Sequence, residues 1–121
     1  MADRRTGCRV ANAHPQPNES VTWSGGCESG IAVGQGVLQW FESGQPAERY
    51  EGELRAGEMN GHGILTTENG GRYEGDFRDG MANGFGQWTT SRGSYSGVWT
   101  NGCFHDGTKR AWVGGDPSSC P

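Results

Sequence analysis

The sequence predicts an all-β protein: an elongated, single-layer antiparallel sheet of stacked β-hairpins with disulfide-stapled ends. Three observations carry the prediction. A glycine skeleton recurs, apolar residues alternate with period two inside each copy, and no segment holds a 3.6-residue period over three turns. Tyr50-Glu51-Gly52-Glu53-Leu54 through Gly57, Gly61 and Gly63 aligns with Tyr73-Glu74-Gly75-Asp76-Phe77 through Gly80, Gly84 and Gly86, each glycine displaced by 23 residues. Trp23 to Gly36 is a third copy, with Trp23 for tyrosine and Cys27 for leucine. Tyr95 to Gly102 opens a fourth, which loses the pattern at Asp106, where glycine is expected. Periods of this size mean stacked units, each too small to bury a core alone.

Each copy opens with a half-buried strand. Tyr50, Gly52 and Leu54 point one way and Glu51, Glu53 and Arg55 the other, and Tyr73 to Arg78 repeats the pattern. The glycine-rich stretches 57–63 and 80–86 are expected to supply a turn, because glycine takes φ > 0 without steric cost. A second strand follows, in which Leu38, Leu65 and Trp88 are equivalent. Turns at Gly44, Gly70-Gly71 and Gly93 then return the chain. The organisation expected is an N-terminal arm or cap at 1–22, the repeat array at 23–105 with copies starting near 23, 50, 73 and 95, and a C-terminal cap or tail at 106–121.

At 121 residues the chain is one domain, but only 31% of it is hydrophobic and 23 residues are glycine. The aromatic and aliphatic columns between repeats must therefore carry the burial, at about 25 cal/mol per Å². Four cysteines offer a further constraint, and their three pairings are not separable by sequence. Cys8–Cys27 with Cys103–Cys120 is favoured over four reduced thiols, since each bridge staples a non-repetitive terminus onto the nearest hairpin. Loops of that length are worth roughly 3 kcal/mol each. Zinc fits poorly, because Cys103 and His105 lack a second ligand pair at the usual spacing. Such bridges imply an oxidising compartment. Met1-Ala2-Asp3-Arg4-Arg5 is followed by no apolar stretch, so a signal peptide is not expected here, and no 18-residue apolar run marks a membrane span.

Charge excludes some functions. The net charge is −4, and residues 48–80 hold eight acids against four arginines, the opposite of the basic stripe that nucleic acid requires. Anionic lipid is disfavoured for the same reason, so a membrane partner is weighed but not preferred. Glu51 and Glu53 are i, i+2 on a strand, within the carboxylate spacing of an inverting glycosidase, yet they face water on a flat sheet. His14, His62 and His105 stand in no recognised catalytic order, and the Gly-x-Gly units lack the third glycine and helix of a phosphate loop. Neither an enzyme nor a cofactor is expected. The aromatic column of Trp23, Tyr50, Tyr73 and Tyr95, with Trp99 and Trp112, is the candidate binding surface for a protein partner or a second copy, with the sheet edge as the alternative surface. The competing reading makes these rings the core.

The pattern Tyr-x-Gly-x-(Leu/Phe/Trp)-x-x-Gly-x-x-x-Gly-x-Gly resembles the MORN (membrane occupation and recognition nexus) repeat over roughly residues 23–102. The resemblance implies a twisted single-layer sheet serving as a non-catalytic scaffold or interaction module, with a lipid- or glycan-contacting module as the alternative. Short exported bacterial proteins of this type carry similarly placed cysteines, which implies a periplasmic or secreted location, bacterial periplasm being favoured.

Overall fold

Alternation of ring, glycine and aliphatic side chain with charged residues draws the chain into ten strands. They are β1 (Glu19–Trp23), β2 (Gly26–Glu28), β3 (Ile31–Glu42), β4 (Gln45–Arg55), β5 (Glu58–Thr66), β6 (Arg72–Arg78), β7 (Met81–Thr90), β8 (Gly93–Trp99), β9 (Cys103–Asp106) and β10 (Lys109–Trp112). The computed structural model describes residues 2–3, 5–11, 19–68, 70–106 and 109–113, and every regular element among them is a strand. The main sheet is an open antiparallel meander in the order β1-β3-β4-β5-β6-β7-β8, while β9 and β10 pair separately. β1 lies along one half of β3 and β2 along the other, with Trp23 opposite Leu38 and Cys27 opposite Ala32. The all-β stack of hairpins is the architecture that the sequence predicts.

The turns are shorter than the glycine stretches suggest. Ala56-Gly57 and Asp79-Gly80 are two-residue turns between the pairs Arg55–Glu58 and Arg78–Met81. The first residue of each has φ near +51° and the glycine φ near +81°, the left-handed pair that matches the twist of a hairpin. Gly61 and Gly84 also have positive φ, but they sit inside β5 and β7. There three residues oppose one, Asn60-Gly61-His62 against Glu53 and Asn83-Gly84-Phe85 against Asp76. The expected turns at 57–63 and 80–86 are thus corrected: each holds one tight turn followed by a bulge in a continuing strand. Two glycines of the motif serve the bulge and the ring above it rather than a reversal.

Successive hairpins are tied tip to tip. The Gly57 N–H donates to the Ala32 carbonyl at 2.9 Å, Gly80 to Met59 at 3.0 Å and Gly102 to Ala82 at 2.7 Å. In each case the acceptor lies two residues past the preceding tip glycine. Chain from outside the repeats continues the ladder at both ends. Arg9 donates to the Gly30 carbonyl and accepts from Ala32, while Val113 donates to Gly102 and accepts from Ala82. Amides and carbonyls that a naked repeat would leave open are thereby satisfied, as the ends of a solenoid require.

The N-terminal arm is held by two further bonds. Cys8 and Cys27 form a disulfide across 5.9 Å between Cα atoms, as expected from their positions. Cys27 occupies the repeat position that Leu54, Phe77 and Trp99 fill in the other copies, but it is exposed, and the buried half of the bridge is Cys8. Cys103 is disulfide-bonded, and the expected Cys103–Cys120 bridge lies outside the described residues. Asp3 is the other anchor, a carboxylate shut off from solvent. It accepts from the Trp23 N–H at 2.9 Å, the Arg5 N–H at 2.9 Å and the Arg5 guanidinium at 2.9 and 3.2 Å. The side-chain bond from Arg5 is the largest of the effects that hold this carboxyl well below the usual range, against the desolvation that opposes it. Burial would be costly without these four donors.

A group with a depressed folded pKa stabilises above its unfolded value, near 3.9, and loses that contribution as pH falls toward the folded value. Asp3→Ala is expected to cost about 2 kcal/mol at neutral pH, with the gap to the native chain narrowing below about pH 4; melting curves across pH measure it, and a gap constant down to pH 2 contradicts the assignment. Ala56, alone among these turn residues in lacking a polar side chain that tolerates left-handed backbone, should gain on replacement. Ala56→Asn is expected to raise stability by about 1 kcal/mol, read as a higher denaturant midpoint.

Candidate functional site

Each repeat carries its ring in the same seat. The Tyr50 ring lies over Gly52 of its own strand and Gly63 of the next, where an added Cβ would come within 2.6 Å of the Tyr50 oxygen and 2.5 Å of its Cε1. Tyr73 covers Gly75 and Gly86 in the same way, and Trp23 covers Gly25 and Gly36. The polar tip of each ring donates three residues ahead. Trp23 Nε1 reaches the Gly26 carbonyl at 2.8 Å, Tyr50 Oη the Glu53 carbonyl at 2.7 Å and Tyr73 Oη the Asp76 carbonyl at 2.9 Å. Desolvation pushes the Tyr50 phenol up to about 12 and raises that of Tyr73 as well. Both hydroxyls remain protonated donors through any physiological pH.

The rings also join the repeats. Tyr50 meets Phe77 edge-on at 5.2 Å, Phe77 meets Tyr73 at 5.0 Å, Tyr73 meets Trp99 at 5.3 Å, and Trp99 meets Phe104 at 5.1 Å. The first three are near-perpendicular and the last is tilted at 38°; aromatic pairs of this kind add about 0.5–1.5 kcal/mol each beyond area burial. Tyr95 ends the column against Phe104 at 6.0 Å. Here the motif fails at Asp106, and β9 leaves β8 after the single bridge Thr100–Cys103 to pair with β10. The Phe104 ring lies over Gly97, within 3.2 Å of where a Cβ would stand.

The six aromatic residues expected to bind a partner are therefore divided. Trp23, Tyr50, Tyr73 and Trp99 are buried, Tyr95 is half-buried, and Trp112 stands 52% exposed. The reading that makes these rings the core describes the first four. The opposite face is a ladder of ions and polar residues. Glu51, Ile64 and Glu74 stand in one cross-strand row, and Arg49 and Arg72 pair with Glu51 and Glu74 at 2.5 and 3.2 Å. His62 stands between Glu74 and Asp76, its Nε2 3.9 Å from one and its Nδ1 3.6 Å from the other. Bulges at Gly61 and Gly84 leave a shallow groove of about 790 Å³ between two hairpin tips, bordered by Arg55, Asn60, Asp76, Arg78, Asp79 and Asn83.

Two residues outside the expected set also stand open, Phe85 at 66% and Val98 at 68% exposure. Their signal was present in the repeat alignment. The central residue of Gly-x-Gly is Gln35, then His62, then Phe85, and Val98 falls where Glu53 and Asp76 stand in earlier copies. An apolar residue at a position that is otherwise polar marks them.

Among known families, the MORN repeat matches residues 50–72 and 73–95. A comparison with curated proteins finds no match.

Because the ring seats have no room for a methyl group, Gly63→Ala is expected to destabilise by about 3 kcal/mol or more, as overpacking against a buried ring does. Gln87→Ala, on the polar face, should stay within about 0.5 kcal/mol. Equal shifts in chemical denaturation for the two variants contradict the seating of Tyr50.

Proposed function

We propose that this chain, which carries MORN repeats at residues 50–72 and 73–95, is a non-catalytic interaction module of an exported protein, binding a protein partner or a second copy of itself. MORN repeats are in general protein- and membrane-contacting modules. The observation that carries the reading is the commitment of the rings. Trp23, Tyr50, Tyr73 and Trp99 all donate their polar hydrogens to backbone carbonyls, so they act as a rigid spine and leave contact to the surfaces it holds in place. Rigid presentation lowers the entropy lost on binding. At the end of the array, where the repeat pattern stops, the half-buried Tyr95 on the ring face and the exposed Trp112 on the opposite face are the aromatic residues left for a partner. A net charge of −4 favours a protein over an anionic lipid surface.

Crosslinking in the native host, followed by reconstitution from purified components, is expected to give a stable complex with a protein or with itself. Turnover of a small substrate by the isolated chain overturns the reading. Export is tested separately. The Cys8–Cys27 bridge supports an oxidising compartment, where maleimide applied to intact cells without reductant is expected to leave both cysteines unlabelled. Labelling of both removes the export assignment.

A further inference from the structure

Among the described residues, three large apolar side chains stand open: Phe85, Val98 and Trp112. Strand pairing places all three on one face. Phe85 is the direct partner of Val98 across β7 and β8. Two residues on from Val98, Thr100 bridges Cys103, and Cys103 pairs with Trp112. Paired residues share a face, as do i and i+2 on a strand, so a single apolar stripe runs from Phe85 through Val98 to Trp112. The intervening residues agree, since Trp99, Phe104, Ala111 and Val113 are all buried. The fold does not need this stripe, because Gln35, Glu53, His62 and Asp76 build the same outward positions in earlier copies.

We propose that this face docks a short extended segment of a protein partner, one with a large apolar side chain beside a lysine or arginine. The proposal rests on the reading of the chain as an interaction module and names its surface. Size decides against a second copy: three side chains exposed by half to two-thirds offer on the order of 300 Å², where a stable dimer needs about 800 Å² from each partner. Such an area suits a peptide anchored by one or two residues. Charge decides the flanking residue. Asp76 faces the bulge that carries Phe85, with its Cβ 3.1 Å from where a Gly84 side chain would start. Its carboxylate stands about half exposed, 3.6 Å from Nδ1 of the exposed His62. Glu74, opposite Gln87 on the same border, is already held by Arg72. An apolar anchor seated on Phe85 and Val98 therefore sets a neighbouring cation beside Asp76. The same carboxylates repel an anionic membrane.

The test pans a phage-displayed library of random dodecapeptides against the full oxidised chain and measures recovered peptides by fluorescence anisotropy. The expected pool pairs an aromatic or branched aliphatic residue with lysine or arginine within two positions. Phe85→Ser with Val98→Ser is expected to weaken these peptides about tenfold or more, and Asp76→Asn about threefold, with steeper losses at low salt. Exposure of all three side chains lets the variants keep their melting temperatures, which is checked first. Peptides that bind the double variant as tightly as the native chain overturn the docking face while leaving the interaction-module reading in place. A library that yields no binder of the native chain overturns the proposal as well. Sedimentation of the chain alone and with phosphatidylcholine vesicles, with and without phosphatidylserine, supplies the remaining arms. Dimerisation or vesicle binding that the double variant abolishes overturns it in favour of a second copy or a lipid surface.

Discussion

A ring laid flat on two glycines is the contact on which this structure depends. A single-layer sheet has no second layer to bury its apolar face, so each hairpin needs a side chain wide enough to cover its own backbone. Tyr50 and Tyr73 do this, each lying over a glycine in its own strand and one in the next. The hydroxyl then reaches the carbonyl three residues ahead. A phenol buried without a partner would cost free energy, and this one instead fixes the ring in place. Trp23 makes the same bond with an indole, which shows that the seat selects a flat ring with a donor at its far end rather than tyrosine itself.

Repetition turns that local contact into a column. The ring of one copy meets the bulky residue four places into the next, so Tyr50 packs on Phe77 and Tyr73 on Trp99. Stability in such an array is close to a sum of units and their nearest-neighbour contacts. The ends then become the weak points, since a terminal hairpin has a neighbour on one side alone. Here each end receives chain from outside the repeats. Cys8, Val10 and Asp3 cover the first copy, and Phe104, Ala111 and Val113 the last. The arm's anchors are chemically different from the repeat's own: a covalent bond and a buried carboxylate with four donors. Both concentrate binding into few residues, which suits a segment too short to form a hairpin stack of its own.

With its rings committed inward, the sheet presents a face whose composition the fold hardly constrains. Ion pairs there are exposed and contribute little to stability. Residues on that face are therefore free to change in the service of contact, and the shift from Gln35 and His62 to Phe85 is such a change. It falls where the repeat pattern also breaks, so structural and chemical irregularity coincide at one end of the molecule. Glycine bulges reinforce the polarity between the faces. Gly61 and Gly84 open a groove on the outer side, while Gly63 and Gly86 hold the rings on the inner side.

The sequence by itself determined the all-β class, the hairpin as the unit, and the inward set of Tyr50, Leu54, Tyr73 and Phe77, while the placement of its cysteines favoured the Cys8–Cys27 staple without separating it from the other pairings. The first three follow from periodicity, and a period of two together with a fixed glycine register survives any detail of packing. Where the turns fall was only half legible. Glycine signals permission for positive φ, and Gly57 in a turn and Gly61 in a bulge give the same signal until a cross-strand partner is assigned. Whether the aromatic column was core or groove was not legible at all. That depended on whether the strand glycines let the rings lie flat against the sheet and on which rings the terminal segments covered, and both are matters of three-dimensional contact. The same holds for Asp3, a short acidic residue near one terminus whose burial rests on the Trp23 amide and Arg5. Tertiary structure alone decided these points, because burial belongs to surfaces brought together from distant parts of the chain.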